Sequence, residues 1–318
     1  MINKIILLCL IYNIDSYILP QTFKNWHCIN YEKNIDKTKP YIHNIGELPL
    51  VTWFDQNNLS KSFTSINICK HMGSKFDKGK IINDCLVCPY HDIKYKDIYG
   101  ETILYQDKLW WSFKPLYKLP PNTPLYNNSN YQSILIEKDI NANLIDCMIN
   151  ILDINYQKQK ISEIFNLDLN IINLENMKLK NKNKLGIKYN YDKLKIYNIF
   201  EYPYTSYYYI FFNNNKIIVN INLLPLSNDK TKWIINIKYN NYKSFILKTL
   251  INLIIKQYLN QNNKKLLNLS QQLSIKKYIA YNFNIDNKYI YDIKQKYSNY
   301  LFPDDFCIQN FIKNIKFY

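Results

Sequence analysis

The sequence predicts an α+β fold in two parts: a small all-β domain first, then a larger sheet with a helix packed on one face. Three observations predict it. Short apolar runs broken by turn residues fill positions 21 to 114. Prolines crowd positions 115 to 124. Longer alternating runs then lead into an amphipathic stretch from Phe245 to about Leu269. A chain of 318 residues is long enough for two such units.

The N-terminus, Met1-Ile2-Asn3-Lys4 followed by the apolar run Ile5 to Tyr12, reads in two ways. It is a weak targeting segment over residues 1–20, or a first strand or short helix. Leu48 to Phe54 is an apolar run that predicts a strand, and Asp55-Gln56-Asn57-Asn58 a turn. Ser62 to Ile68 alternates and predicts a second strand. After Gly100, Thr102 to Tyr105 and Lys108 to Phe113 predict a hairpin with Trp110 and Trp111 inside it.

Pro115, Pro120, Pro121 and Pro124 resist both helix and central strand, so the domain boundary is expected between 114 and 132. The two domains are then 21–114 and 133–318. In the second, Asn141 to Ile154 predicts a helix. Lys184 to Lys195, Tyr207 to Phe212, Lys216 to Leu224 and Lys232 to Tyr239 predict strands, with turns at Asn213-Asn214-Asn215 and Ser227-Asn228-Asp229. Lys248, Asn252 and Lys256 interrupt the apolar run from Phe245 to Tyr258 at a spacing of four, which makes one polar stripe on a helix. No stretch is apolar enough to span a bilayer, and the body reads as soluble or peripheral.

Lys and Arg number 41 against 25 Asp and Glu, a net charge of +16. The lysines are spread along the chain with no polybasic block, and heavy use of Asn, Lys, Ile and Tyr is what AT-rich codons give. No nucleic-acid partner is expected from charge of this kind. Seven cysteines, Cys9, Cys28, Cys69, Cys85, Cys88, Cys147 and Cys307, are odd in number and scattered, which argues against a disulfide framework.

The chemistry concentrates in Cys69-Lys70-His71-Met72-Gly73 and Cys88-Pro89-Tyr90-His91, the pattern C-x-H-x16-C-x2-H. One thiolate and one imidazole on each of two loops is the ligand set of a Rieske [2Fe–2S] centre, where two Cys hold one iron and two His the other. Gly73 suits a tight first loop, Gly79 the turn leaving it, and Pro89 stiffens the second. Two exposed His ligands would make the couple pH-dependent. The alternative is zinc: Cys85-Leu86-Val87-Cys88 is a C-x2-C that, with Cys69, His71 or His91, makes a tetrahedral ligand set. His27 and His43 precede the motif and read as surface or packing residues.

On these residues, positions 22 to 115 resemble the Rieske domain of the Rieske non-haem iron oxygenases. Cys69 to Gly79 resembles the family's first loop, and Cys88-Pro89-Tyr90-His91 its second. Asp92 and Ile93 stand where the family usually has Gly and Trp; Asp tolerates left-handed backbone, so the fold can survive the change. Ser74 and Tyr90 occupy the places of the extra disulfide cysteines in Rieske proteins of cytochrome complexes, which sets that branch aside. Leu224 to Trp233 resembles the strand-turn-strand of the helix-grip catalytic domain, and Phe245 to Leu269 its closing helix. In general shape the chain is similar to plastid enzymes such as pheophorbide a oxygenase.

The resemblance implies a second, mononuclear iron held by two His and a carboxylate, the His pair lying in a helical D-x2-H-x4-H motif. Here Asp146 fits the leading acid, but the His positions fall on Ile149 and Ile154, and no His follows His91. The later carboxylate region, Tyr258 to Gln272, contains no acid. Cys147 reads as a buried structural thiol. The cofactor expected is thus one [2Fe–2S] cluster on Cys69, His71, Cys88 and His91, with the mononuclear iron in doubt and Asp146 on a route by which an electron leaves. By the resemblance, electrons arrive from a ferredoxin or flavin reductase, an acidic one being favoured by the positive surface. Two other readings stay open: a non-catalytic electron-transfer or redox-sensing protein whose second domain binds an apolar ligand, porphyrin- or sterol-like, or a partner; and a zinc module. A plastid is the expected location.

Overall fold

The computed structural model describes residues 24–123, 130–142, 144–168, 173–177, 184–192, 194–201, 204–212, 215–227, 229–240 and 251–252. The suggested targeting segment, most of the turn at 213–215, position 228 and all but two residues of the expected Phe245–Leu269 helix lie outside them.

Three small antiparallel sheets form the first part. Strand β1 (His27–Tyr31) begins the chain's ordered core. β2 (Tyr41–Ile45), β3 (Leu48–Asp55) and β4 (Asn58–Ile66) form a meander, and β5 (Lys80–Ile82), β6 (Cys85–Val87) and β7 (Lys94–Tyr95) a second one. β8 (Glu101–Tyr105) and β9 (Lys108–Ser112) make the hairpin read from the sequence, and β9 pairs with β1 to give the order β1-β9-β8. Its two turn residues, Gln106 and Asp107, take φ of 53° and 58°, as the right-handed twist of a two-residue hairpin demands.

β3 is largely apolar because both faces of its middle, Leu50 to Phe54, are covered. Leu50 and Phe54 pack with Ile29, Leu109 and Trp111. Val51 and Trp53 face the other way, into a cluster with Cys69, Phe76, Leu86, Cys88 and Tyr95. Burying side chains of that size contributes on the order of 2–3 kcal/mol each. The cysteine loops are therefore built on the back of a strand whose middle, Leu50 to Phe54, is buried.

From Lys114 to Thr123 the chain has neither helix nor strand. β10 (Gln132–Ile140) then opens a second sheet, followed by α1 (Leu144–Leu152), α2 (Ile154–Phe165), β11 (Asn173–Asn176), β12 (Lys184–Tyr191), β13 (Leu194–Glu201), β14 (Thr205–Phe212), β15 (Asn215–Ser227) and β16 (Lys230–Tyr239). The order is β10-β16-β15-β14-β13-β12-β11, antiparallel throughout. The architecture is the expected α+β, and several of its elements differ from the sequence reading, the short strands β5, β7 and β11 among them. The run 184–195 is two strands, turning where Tyr191 pairs with Leu194. β10 was not anticipated, because Glu137, Lys138 and Asp139 break its apolar pattern. α2 was not anticipated either, being largely polar. The helix expected over 141–154 stops at Leu152, and Asp153 separates it from α2.

The central strands of the second sheet, β15 and β16, are buried on both faces. Along β16, Trp233, Ile235 and Ile237 pack in the core that holds Cys147, Met148 and Ile151 of α1, together with Ile251. Ile234 faces the opposite way, against Trp26, Cys28, Tyr31 and Trp110 of the first part. Contacts across that face join the two parts. Lys108 Nζ donates to Asn220 Oδ1 at 2.7 Å and to Thr123 Oγ1 at 2.9 Å. The Gly46 N–H donates to the Pro225 carbonyl at 2.9 Å, and His27 stacks on Tyr204 with ring centroids 4.9 Å apart.

Candidate metal centre

The two motif loops are conformational twins. In the first, the Cys69 N–H donates to the Ser74 carbonyl at 2.7 Å and the Gly73 N–H to the Cys69 carbonyl at 2.8 Å. In the second, the Cys88 N–H donates to the Ile93 carbonyl at 3.0 Å and the Asp92 N–H to the Cys88 carbonyl at 3.2 Å. The spacings are the same, so Gly73 and Asp92 are equivalent positions. Both are left-handed, with φ of 76° and 50°. Asp92, standing where a glycine is usual, meets the turn's demand at a cost of about 1–2 kcal/mol.

Supports below the loops hold them in place. The buried Asn67 accepts the Phe76 N–H at 2.8 Å and donates to Asp77 Oδ1 at 3.1 Å. Gly79 packs so tightly that a Cβ there would lie 2.7 Å from the Val87 carbonyl oxygen. Trp53 Nε1 donates to the Asp84 carbonyl at 2.9 Å, and Lys96 bridges Asp84 at 2.8 Å. Phe76 packs edge-on to Tyr95.

The four motif residues come together with the sulfurs inside and the rings outside. Cys69 and Cys88 are buried. His71 and His91 are exposed, and their rings meet edge to face with centroids 4.9 Å apart. Each sulfur has one hydroxyl partner: Tyr95 for Cys69 at 2.9 Å and Ser74 for Cys88 at 3.3 Å. Burial pushes the Cys69 thiol up. The Tyr95 hydroxyl, the His71 N–H, the Cys88 side chain and the Met72 N–H outweigh it and hold the thiol at about 7. A thiol so placed is readily a thiolate, the form that binds metal. Burial and the bond to Cys69 raise Tyr95 to about 12, so it stays a donor.

Two thiolates and two imidazoles presented side by side fit a cluster that takes two ligands on each of its irons. Cys85, the key to the zinc alternative, has its sulfur 3.5 Å from Asp84 Oδ1. Among the described residues, no three His, Cys, Asp or Glu side chains gather to hold a single metal ion. Tyr95 and Asn67 were not singled out in the sequence. The available signal was position: Tyr95 lies four residues after His91, and Asn67 two before Cys69.

His27 and His43 are both buried in the first part, a packing role. His43 stacks on Tyr41, and burial holds it down at about 4. Asp146, Ile149 and Cys147 lie on α1, and Ile154 opens α2. Cys147 is fully buried, as a structural thiol should be. The side chains of Asp146, Ile149 and Ile154 lie outside the described set.

The Rieske [2Fe-2S] domain family matches residues 25–107. The oxygenase component of 3-ketosteroid-9-alpha-monooxygenase from Mycolicibacterium smegmatis is 33% identical over 83 residues, 26% of this chain and 21% of that protein. One from Rhodococcus rhodochrous is 31% identical over 72 residues, 23% of this chain and 18% of that protein. The chain thus spans about a fifth of the length of these relatives. Among solved structures, dicamba monooxygenase bound to dicamba superposes with a TM-score of 0.62 at 10% identity, over 87% of this chain and 98% of that one. Pseudomonas putida CBB5 NdmA, as a QL mutant with theobromine, gives 0.60 at 12% identity, over 74% and 80%. At such identities the likeness is one of fold, and it extends into the second sheet. Residues 25–107 therefore match the Rieske [2Fe-2S] domain family, on a chain that shares the fold of dicamba monooxygenase and NdmA.

Proposed function

We propose that this chain is a Rieske-type oxidoreductase whose work is electron transfer, with Cys69 and Cys88 on one iron and His71 and His91 on the other. The observation that carries the reading is the pair of twin loops, which bury two sulfurs and expose two imidazoles whose rings meet edge to face. The bound cluster supplies a one-electron couple. Tyr95 and Ser74 direct hydroxyls at the sulfurs and stabilise negative charge there. His71 and His91 present their rings to solvent beside Met72, 75% exposed, and Tyr90, 72% exposed. A donor protein, a ferredoxin or a reductase, would meet the chain at that edge.

The electron-transfer reading is preferred over oxygenation because no His follows His91 in the sequence to supply the two-His set of a mononuclear iron. Asp146 is placed on the electron's exit route by the family resemblance alone. The unit boundaries that go with this reading are 21–114 and 133–318, and the plastid location rests on the likeness to chlorophyll-metabolising enzymes. A second reading, favoured by the missing His residues, is a non-catalytic electron-transfer or redox-sensing protein whose second domain binds an apolar ligand, porphyrin- or sterol-like, or a partner.

Anaerobic purification, a metal count and an EPR spectrum after dithionite reduction test the proposal. About two irons per chain and the low average g of a His-ligated cluster are expected. A third iron, with oxygen-dependent turnover of a steroid or porphyrin, would overturn the electron-transfer-only reading and the second reading alike, and show that an oxygenase site survives. Zinc without iron would overturn both.

A further inference from the structure

Between the two sheets the chain runs Lys114-Pro115-Leu116-Tyr117-Lys118-Leu119-Pro120-Pro121. Three of its large apolar side chains lie in water: Leu116 is 56% exposed, Tyr117 52% and Leu119 50%. The exposure is imposed by the backbone. The Leu116 N–H donates to the Lys24 carbonyl at 2.9 Å, and Trp26 Nε1 donates to the Tyr117 carbonyl at 2.8 Å. Trp26 itself is buried against β9 and β16, so the segment is tied to the core. Pro120 is buried at its far end. The three side chains cannot turn inward while those ties hold, and an ordered apolar cluster left outside a core marks a contact surface.

The chemistry around it narrows what that surface meets. Lys114 and Lys118 are exposed within the segment, and Lys24 lies alongside it. No Asp or Glu occurs between Asp107 and Glu137. The prolines at 115, 120 and 121 remove the N–H groups that an added strand would need. A symmetric contact with a second copy would set these lysines against themselves. Leucines to insert, a tyrosine for the polar boundary and lysines for headgroups are the components of a shallow interfacial anchor.

We propose that residues 114–119 dock the protein on an anionic lipid surface, with Leu116, Tyr117 and Leu119 entering the headgroup boundary and Lys24, Lys114 and Lys118 meeting lipid phosphates. No helix among the described residues is long and apolar enough to cross a membrane, so the segment would act as a peripheral contact.

The test is cosedimentation of the full, cluster-loaded chain with vesicles of phosphatidylcholine and phosphatidylglycerol, and with vesicles of phosphatidylcholine alone. Binding to the mixed vesicles, absent from the neutral ones and weakened by salt, is expected. The bound fraction should fall on the order of tenfold in a Lys114→Glu, Lys118→Glu double variant and in a Leu116→Ser, Leu119→Ser double variant. Each variant should keep the visible spectrum of its cluster. The lysine variant leaves the apolar contacts in place, so it decides the matter if the serine variant folds poorly. Failure of the wild-type chain to bind mixed vesicles overturns the proposal, and so does undiminished binding by both variants. A dimer in light scattering that the serine variant abolishes would overturn it too, assigning the surface to a second copy.

Discussion

The hydroxyl of Tyr95 lies 2.9 Å from the sulfur of Cys69, inside the core that backs the two loops. It is held there by its edge contact with Phe76, whose own N–H is fixed by Asn67. The reduced cluster carries one more negative charge than the oxidised one, so a donor to its sulfur favours reduction. Tyr95→Phe should move the midpoint potential about 60 mV more negative, the one-electron equivalent of about 1.4 kcal/mol. A dithionite titration followed by EPR measures it. An unchanged potential would mean that the bond does not survive cluster binding.

Asn67→Ala removes two hydrogen bonds beneath the first loop and leaves the Phe76 N–H unpaired in a buried place. A loss of about 2 kcal/mol is expected. Denaturant unfolding gives the stability, and the rate of iron release to a chelator should rise with it.

Asp92 pays for a left-handed backbone that its twin, Gly73, adopts freely. Asp92→Gly should stabilise the second loop by up to about 1 kcal/mol, and Asp92→Val should cost about 1–2 kcal/mol more than the native aspartate. Iron release is again the readout, slower in the first variant and faster in the second.

Lys108 is buried at the junction of the two sheets, and burial lowers it from 10.5 to about 8. Cys28, Lys238 and Asp107 are the titratable groups facing it. The folded chain holds this proton less tightly than the unfolded one. Above pH about 10.5 the amine is neutral in both states and burial costs nothing; below about 8 it is charged in both and the cost is full. Its contribution to stability therefore rises by about 3 kcal/mol across that window and is lost as the pH falls. Lys108→Met should flatten this part of the pH profile of unfolding.

Much of this protein was legible in its residues, for reasons that are local. The spacing C-x-H-x16-C-x2-H pointed to a [2Fe–2S] cluster, because one thiolate and one imidazole on each of two loops is the ligand pattern of such a centre. The apolar run at Leu48 and the tryptophan pair at 110–111 determined strands, because such side chains must be buried on alternating faces. Tertiary structure decided the rest. It made one run, 184–195, into two strands, since pairing with neighbours, not hydropathy, sets where a strand turns. It broke the helix expected over 141–154 at Asp153, and it recruited the polar residues of β10 to an edge where only one face needs covering. It also brought Tyr95 to Cys69 across 26 positions and Lys108 to Asn220 across 112. Contacts between residues so far apart in the chain leave no period to read: whether a hydroxyl finds a sulfur, or an amine an amide, depends on how the sheets pack.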